Sequence, residues 1–381
     1  IDSARPNFFI FMKYYIIAGE ASGDLHGSNL MKALLKQDNK AEIRFWGGDL
    51  MNMVGGTLVK HYKERAFMGF VEVFMNLRKI LGMISFCKKD ITNFHPDVLI
   101  FIDNSGFNLR IASWAKPLGY STHYYISPQV WASRANRVEK IKRVVDQMYV
   151  ILPFEKEFYK KHDYQVTFVG HPLIDAIADI KQVDETIFRK QHNLSDKPII
   201  ALLPGSRKQE ISKMLSVMLS LIDDFSDYEF VIAGAPSQRL DFYTTIIGSK
   251  NISFVDNKTY DLLSISYAAL VTSGTATLEA ALFKVPQVVC YKGSMISYQI
   301  AKRIITLRFI SLVNLIMDKE VVKELIQNNF TKKNLKRELH KILDANHRTA
   351  LFEAYYLLEQ KLGGKGASEK TATSIVSNLK K

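Results

Sequence analysis

Four short stretches carry the residue types that catalysis and phosphate binding need, and each directly follows an apolar run. They are residues 19–24 (GEASGD), 103–108 (DNSGFN), 204–207 (PGSR) and 273–279 (SGTATLE). Carboxylates in such positions serve as general bases, and glycine turns that open a helix bind phosphate through free backbone N–H groups. These stretches are therefore the candidate functional loops.

The stretch 204–207 stands between an apolar run and a segment of helical periodicity. Gly205 permits close approach of the backbone, Ser206 offers a hydroxyl, and Arg207 can place its forked guanidinium on phosphate oxygens. This order of residues favours a cradle for a diphosphate. An ordinary helix cap with an exposed arginine explains the same residues equally well.

Ser273, Gly274 and Thr275 form a second turn of this kind before another helical segment. Glu279 follows within the first turns of that helix, where a carboxylate can accept hydrogen bonds from ribose hydroxyls, as the acidic residue of dinucleotide-binding folds does. A glutamate there also stabilises a helix N-terminus by capping or through the helix dipole, and this explanation stays open.

The other two stretches are less specific. Asp103 ends an apolar run, where catalytic groups lie in α/β folds, although a simple Asx turn would use the same residues. Residues 19–24 match neither the dinucleotide-binding glycine pattern nor the phosphate-binding loop of NTPases. This weighs against a nicotinamide-dependent dehydrogenase and against a P-loop NTPase.

Metal and disulfide chemistry are not indicated. The two cysteines, Cys87 and Cys290, are far apart, and no histidine stands at metal-ligand spacing from a neighbouring ligand residue. We therefore expect no bound metal, no cofactor and no disulfide framework.

Short β-branched or aromatic runs alternate with helical segments, which is typical of βα units in a parallel sheet. Two series of strands are predicted, at residues 14–18, 43–47, 98–102, 122–126, 148–152 and 166–169, and at residues 199–203, 229–233, 252–255, 269–272 and 287–291. The clearest helix is predicted at 211–225, where apolar residues recur at i, i+3, i+4 and i+7.

A length of 381 residues suits two domains, and the polar stretch 179–197 interrupts both periodicities. We predict an N-terminal domain of residues 12–170, a second domain of residues 171–345, and C-terminal helices of residues 346–381 that pack back on the first domain. The fold class is α/β, with two doubly wound Rossmann-like domains facing each other across a cleft and a helical C-terminus. Residues 1–11 are expected to be an extension.

The chain has 51 lysines and arginines against 38 aspartates and glutamates, so a net charge of +13 attracts an anionic partner. Charge alone does not distinguish nucleic acid, an anionic membrane or phosphorylated substrates. Residues 67–94 are rich in apolar side chains with interleaved cations, which fits either a surface for membrane and acyl chains or a core helix with a basic solvated face. No segment reaches the roughly 20 apolar residues of a membrane-spanning helix.

Six motifs, taken in order, closely resemble the lipid-A-disaccharide synthase family. They are residues 19–24 (GEASGD), 127–132 (SPQVWA), 152–155 (LPFE), 170–172 (GHP), 202–207 (LLPGSR) and 273–275 (SGT). The likeness runs from about Met12 past Asn314. Each motif alone is weakly specific, whereas six in order and at matching spacing are highly specific.

The resemblance implies an inverting GT-B glycosyltransferase of lipid A biosynthesis in a Gram-negative bacterium. It implies transfer of a diacylglucosaminyl group from UDP-2,3-diacylglucosamine to 2,3-diacylglucosamine 1-phosphate, giving a β-1,6-linked disaccharide and UDP. It also implies a cytoplasmic protein, peripheral on the inner face of the cytoplasmic membrane, with no nucleic-acid partner. A homo-oligomer stays open.

The matching motifs also imply roles for particular residues. Asp103 is the candidate general base, and Glu20 and Ser22 would border the reacting groups. The two glycine turns would hold the diphosphate in place of a metal, the glutamate would bind the ribose, and the asparagine would lie near the donor sugar. The residues that would bind substrate are Asp24, Gly205, Ser206, Arg207, Ser273, Gly274, Thr275, Glu279 and Asn314.

Three positions depart from the family pattern. Gly106 stands where many relatives carry an acidic residue, Val313 where they have proline, and Ser133 where they often have tryptophan. The first departure leaves Asp103 without an acidic neighbour, which either strengthens Asp103 as the sole base or weighs against the family's use of this loop; we favour the former.

Two other functions remain open at this point. One is another GT-B enzyme, such as a UDP-N-acetylglucosamine epimerase or a transferase with a soluble acceptor, and dependence on acyl chains would separate it from the synthase. The other is a non-catalytic basic protein that binds membranes or nucleic acid. Its binding would fall with salt and would not change in Arg207→Ala.

Overall fold

A computed structural model describes residues 11–65, 77–132, 135–180, 182–294 and 307–380. The chain divides into two compact units. The first unit comprises the residues up to Pro172 and those from Gly363 onward, and the second unit comprises Leu173–Leu362. The boundary lies two residues beyond the expected one. Residues 346–362, which we expected to return to the first domain, belong to the second unit instead.

The first unit is built on a parallel sheet. Its seven strands are β1 (Lys13–Ala18), β2 (Glu42–Gly47), β3 (Thr57–His61), β4 (Val98–Ile102), β5 (Ser121–Tyr125), β6 (Gln147–Val150) and β7 (Thr167–Phe168), in the order β3-β2-β1-β4-β5-β6-β7. Its described helices are α1 (Ala21–Gln37), α2 (Asp49–Val54), α3 (Leu77–Phe94), α4 (Ser105–Ala115), α5 (Val138–Val144) and α6 (Pro153–Lys160).

The second unit repeats this plan. Its strands are β8 (Ile199–Leu203), β9 (Glu229–Gly234), β10 (Ser253–Asp256), β11 (Ser266–Thr272), β12 (Gln287–Tyr291) and β13 (Lys323–Ile326), all parallel, in the order β10-β9-β8-β11-β12-β13. Its described helices are α7 (Pro172–Ala178), α8 (Glu185–Gln191), α9 (Lys208–Leu219), α10 (Leu240–Ile247), α11 (Thr259–Ser264), α12 (Thr275–Leu282), α13 (Leu312–Met317), α14 (Lys332–Leu343) and α15 (Ala345–Lys361).

Strand β1 shows why these sheets are buried on both faces. Tyr15 and Ile17 lie in one apolar cluster, whereas Tyr14 and Ile16 lie in the cluster on the opposite face. Alternate side chains point to opposite faces of a strand, so a continuous apolar run such as residues 14–18 packs against helices on both sides. Strand β8 is also buried on both faces, since all five of its residues are buried.

The last helix, α16 (Ala367–Leu379), returns to the first unit. Ile375 is fully buried in the apolar cluster that also contains residues of α1. At the exposed edge of this packing, Lys36 forms an ion pair with Glu369 at 3.0 Å, and Gln37 Nε2 donates to Thr373 Oγ1 at 2.7 Å. Helix α15 instead packs in the second unit, where Arg348 Nη1 donates to the Tyr267 carbonyl at 2.7 Å.

All eleven predicted strands are present, within a few residues at each end, and the prediction of two doubly wound units is confirmed. The sequence missed β3 and β13, which lie at sheet edges and are only partly buried. The helix predicted at 211–225 begins earlier and ends at Leu219, after which a short 3-10 turn covers Ile222–Asp224.

Each sheet reverses its strand order at one place. The chain passes from β1 outward to β3 and then returns to β4 on the other side of β1. In the second unit it passes from β8 outward to β10 and returns to β11 on the other side of β8. Ligands of doubly wound folds bind at these switch points, beyond the carboxyl ends of the strands. All four candidate loops follow the strands that flank the two switch points.

Candidate active site

The first switch point brings together the loops that follow β1 and β4. Gly19 directly follows β1 and packs against the side chain of Asn104, which follows β4. Helix α1 begins at Ala21, so only Gly19 and Glu20 form the loop and Ser22 lies in the first helical turn.

Asp103 sits in this switch point on a constrained backbone. Asp103 and Asn104 both have positive φ values, 46° and 42°. This region is sparsely populated by residues other than glycine and is found where the surrounding structure holds the chain. The Tyr124 hydroxyl and Asn108 Nδ2, the latter at 2.8 Å, both donate to the Asp103 carbonyl. These bonds fix the turn from which the carboxyl group projects.

The Asp103 carboxyl is a stronger base than an ordinary aspartate. Burial raises its pKa, and the charge of Glu20 raises it further, while a hydrogen bond from the Asn104 amide opposes the shift. Asp103 therefore does have an acidic neighbour, Glu20, which comes from the loop after β1 and not from the loop of Asp103. Glu20 is exposed at the N-cap of α1, and Ser22 is exposed beside it.

Asp24 does not project into this site. Its side chain is buried, and its carboxylate accepts the backbone N–H groups of Gly48 at 2.8 Å, Leu50 at 3.0 Å and Met51 at 3.0 Å. These are the unpaired donors at the start of α2. Asp24 thus attaches α2 to α1, and its predicted contact with substrate stays a prediction.

Three buried histidines lie in the same unit: His26, His171 and His123, the last of which lies in β5 and is 1% exposed. His26, in α1, and His171, in the motif at 170–172, are 8% and 4% exposed. Burial lowers the pKa of His26 to about 4, and burial together with the charge of His26 lowers the pKa of His171 to about 3. Burial also lowers the pKa of His123 to about 4, so all three rings are held neutral.

The motifs at 127–132 and 152–155 meet in the structure. The buried Ser127 Oγ donates to Glu155 Oε1, and Glu155 Oε2 accepts the backbone N–H groups of Leu152 at 2.9 Å and Ile151 at 3.2 Å. Burial raises the pKa of the Glu155 carboxyl, while the hydrogen bonds it accepts lower it. These motifs join the loop after β5 to the start of α6.

The second switch point brings the two glycine turns together. Gly205 follows β8 with φ of +108°, and a Cβ added to it would stand 3.5 Å from Cγ2 of Thr272, the last residue of β11. Gly274 also has a positive φ, of +155°, and precedes α12. Helices α9 and α12 therefore begin side by side at this edge of the sheet, without a hydrogen bond from an N-cap side chain to either.

The residues of the first turn are exposed at this edge. The Arg207 side chain is 77% exposed and contacts Glu210 Oε1 through Nη1 at 3.3 Å. The Ser206 carbonyl accepts hydrogen bonds from Ser237 Oγ at 2.8 Å and Gln238 Nε2 at 3.3 Å. The loop after β9 thus supports the turn, and the guanidinium stays accessible to an anion.

The residues of the second turn are more firmly held. Ser273 Oγ donates to the Ile310 carbonyl at 2.9 Å, whereas Thr275 is exposed. Glu279 Oε1 accepts the Tyr260 hydroxyl at 2.8 Å, and burial raises the pKa of the Glu279 carboxyl. Tyr260 orients this carboxylate, a partner that spacing in the sequence could not reveal.

Asn314 uses its whole amide within the protein. It is fully buried, its Nδ2 donates to the Val322 carbonyl at 2.8 Å and to Glu324 Oε1 at 2.9 Å, and its Oδ1 accepts the N–H groups of Val321 at 2.8 Å and Val322 at 3.0 Å. The predicted contact of Asn314 with the donor stays a prediction. Asn314 joins α13 to β13 and, through Glu324, holds the N–H groups of residues 310 and 311.

Two further observations concern the described residues as a group. None of their histidine, cysteine, aspartate and glutamate side chains form a cluster of three or more that could hold a metal ion. Within the same ranges, the helices are too short or too polar to cross a bilayer.

Comparison with known proteins assigns the family. The family model for lipid-A-disaccharide synthetase matches residues 14–375. A lipid-A-disaccharide synthase from Syntrophus aciditrophicus is 39% identical over 376 residues, which cover 96% of this chain and 97% of the relative. The chain belongs to the lipid-A-disaccharide synthetase family. A Geobacter metallireducens synthase, 37% identical, and a Coxiella burnetii synthase, 35% identical, also match over 96% of this chain and 97% of their own length.

Family membership identifies the chain as a glycosyltransferase of lipid A biosynthesis, which confirms the resemblance seen in the motifs. Solved structures show the fold. A Neisseria meningitidis UDP-GlcNAc 2-epimerase bound to UDP-GlcNAc has a TM-score of 0.67 at 14% identity, over 97% of this chain and 99% of the other. The S. aureus MnaA–UDP structure has a TM-score of 0.69 at 16% identity, over 97% of each chain. At such low identity these structures establish the GT-B fold alone.

Proposed function

We propose that the protein transfers a 2,3-diacylglucosaminyl group from its UDP derivative to the 6-hydroxyl of 2,3-diacylglucosamine 1-phosphate, with inversion, and releases UDP. The observation that carries this mechanism is the Asp103 carboxyl, which projects from a fixed turn at a switch point with its pKa raised by burial and by Glu20. Inversion by a single displacement needs a base that removes the acceptor proton as the new bond forms. Asp103 is that base.

The raised pKa of Asp103 suits this role. A general base is most effective when its pKa approaches the working pH, and an ordinary aspartate is too weak. Glu20 supplies negative charge nearby, which strengthens the base and opposes loss of its proton to solvent. Ser22, exposed in the first turn of α1, borders the same space and can donate a hydrogen bond to a sugar oxygen.

The second switch point holds the leaving UDP. The N-termini of α9 and α12 offer backbone N–H groups and positive dipole ends, and Arg207 offers a forked cation. The groups nearest the diphosphate are those of Gly205, Ser206, Arg207, Ser273, Gly274 and Thr275. Fixed donors of this kind stabilise the charge that develops as the glycosidic bond breaks. Glu279, oriented by Tyr260, accepts a hydrogen bond from the ribose.

Helix α3 supplies the contact with lipid. Leu81 and Phe86 are 56% and 50% exposed although both are large and apolar, and cations including Lys79 and Lys89 accompany them. A groove of about 580 Å³ lies along this helix, between α3 and the end of β3. Acyl chains fit apolar surface of this type, and the net charge of +13 favours the anionic inner face of the cytoplasmic membrane. Residues 67–76 of the expected acyl-chain segment lie outside the described residues.

The direct test is UDP release and disaccharide formation from UDP-2,3-diacylglucosamine, with and without 2,3-diacylglucosamine 1-phosphate, in mild detergent and EDTA. We expect both products only when the acceptor is present, at a rate that chelation does not change. Conversion of UDP-N-acetylglucosamine to its epimer, without transfer, would instead assign an epimerase. Folded protein that binds anionic vesicles but turns over neither substrate would assign a non-catalytic membrane protein.

A further inference from the structure

Glu210 places a carboxylate within the turn that the proposed function assigns to the diphosphate. It is the third residue of α9, counted from Lys208. A Cβ added to Gly205 would stand 3.1 Å from Glu210 Oε2 and 3.2 Å from Glu210 Cβ. The Glu210 side chain therefore packs closely against the space above Gly205, where an added Cβ would be tightly packed.

Glu210 also engages the cation of that turn. Its Oε1 lies 3.3 Å from Arg207 Nη1, and its side chain is 30% exposed. A carboxylate at the third helical position is stabilised by the positive end of the helix dipole. The two features that attract a phosphate group, the helix N-terminus and the arginine, are thus already engaged by an anion of the chain itself.

We propose that Glu210 is an internal counter-ion that competes with the nucleotide for Arg207 and the N-terminus of α9, and so promotes the release of UDP. This inference rests on the proposed function, because it takes the turn at 204–207 as the diphosphate site. When the nucleotide binds, Arg207 exchanges the Glu210 carboxylate for phosphate oxygens. When UDP leaves, Glu210 pairs with Arg207 again.

The competition acts more strongly on product than on donor. Loss of the sugar leaves UDP with one more negative charge on its terminal phosphate than the donor carries. A fixed carboxylate beside that phosphate repels UDP more than UDP-2,3-diacylglucosamine, since repulsion scales with the product of the charges. Glu210 therefore lowers product affinity relative to donor affinity, which limits product inhibition.

The test compares wild-type protein with Glu210→Gln, which keeps the shape and hydrogen-bonding capacity of the side chain and removes its charge. Dissociation constants of UDP and of UDP-2,3-diacylglucosamine are measured by calorimetry in one detergent, without acceptor. We expect the dissociation constant of UDP to fall about tenfold in the variant and that of the donor to fall about threefold or less. Because the site is near the surface, raising the salt concentration should shrink both differences.

Glu320→Gln is the matched control. Glu320 pairs with Lys323 at 3.0 Å with i,i+3 spacing, and it precedes β13, at the opposite end of the sheet from the turn. The Glu320→Gln variant removes the same charge and should leave the dissociation constants of UDP and of the donor unchanged. If Glu210→Gln leaves UDP affinity unchanged or weakens it while wild type binds UDP, the role of Glu210 is refuted and the nucleotide site stands. If wild type does not bind UDP, the proposed site fails and Glu210 loses its role with it.

Discussion

Gly19 and Asn104 are in direct contact across the first switch point, and only a glycine permits this contact. A Cβ added to Gly19 would stand 1.9 Å from Asn104 Nδ2 and 2.8 Å from Asn104 Cβ. Since Asn104 adjoins Asp103, this packing joins the loop after β1 to the turn that carries the proposed base. The identity of residue 19 is therefore linked to the position of the Asp103 carboxyl.

Replacing Gly19 by alanine should displace Asn104 and with it the Asp103 turn. Forcing a methyl group into such a contact destabilises a protein by about 1–3 kcal/mol. We expect Gly19→Ala to lower the melting temperature and to reduce kcat more than the affinity for UDP. Gly106→Ala is the control for stability, because a Cβ at Gly106 meets nothing within 4 Å. An unchanged melting temperature and kcat in Gly19→Ala would contradict the linkage.

Asp24→Ala should destabilise the first unit without altering nucleotide binding. The change leaves three N–H groups at the start of α2, two of them buried, without their carboxylate acceptor. Lost caps and unpaired buried donors cost about 1–3 kcal/mol. Urea denaturation measures this loss. Asp49→Asn, in the same helix but 72% exposed, should change the free energy of unfolding by less than about 0.5 kcal/mol; equal effects of the two variants would reject the capping role.

We predict that the folded protein loses stability in acid because of its buried histidines. All three have folded-state pKa values below their ordinary 6.5, His26 and His123 at about 4 and His171 at about 3, so folding favours the neutral rings. Stability is complete above about pH 6.5 and falls as the pH decreases, because the unfolded chain takes up protons first. When the pH is lowered from 7.5 to 5, each of these rings should decrease the free energy of unfolding by about 2 kcal/mol.

Urea denaturation at the two pH values tests this dependence. His26→Gln should remove roughly a third of the difference, whereas His347→Gln, at an exposed position, should retain all of it. A difference of the same size in His26→Gln and in wild type would show that other groups cause the acid sensitivity.

Arg207→Ala should weaken UDP binding by about ten- to a hundredfold, because a hydrogen bond from a charged donor contributes about 1.5–3 kcal/mol. Calorimetry with UDP measures the change. Arg239→Ala removes an equally charged and 91% exposed side chain from the loop after the neighbouring strand β9, so it controls for long-range charge. An equal loss of affinity in both variants would assign the effect to net charge and not to a diphosphate contact.

The positions of the four candidate loops were predictable because they depend on local patterns: an apolar strand, then glycine or a carboxylate, then a helix. The roles of Asp24 and Asn314 were not predictable, since each depends on distant backbone groups that the fold brings near, such as the N–H groups of Gly48 and Val321. Tyr260, which orients Glu279, was missed for the same reason. Strand β3 was missed because an edge strand is half solvated and lacks a continuous apolar run.

The measurement that tests the account most directly compares Asp103→Asn with wild type in turnover and in UDP affinity. Asparagine keeps the size of the side chain but cannot accept the proton of the acceptor hydroxyl. We predict that kcat falls at least about a hundredfold while the dissociation constant of UDP stays within about twofold, and that wild-type kcat decreases in acid as the Asp103 carboxyl becomes protonated. Near-normal turnover of folded Asp103→Asn would contradict the proposed mechanism.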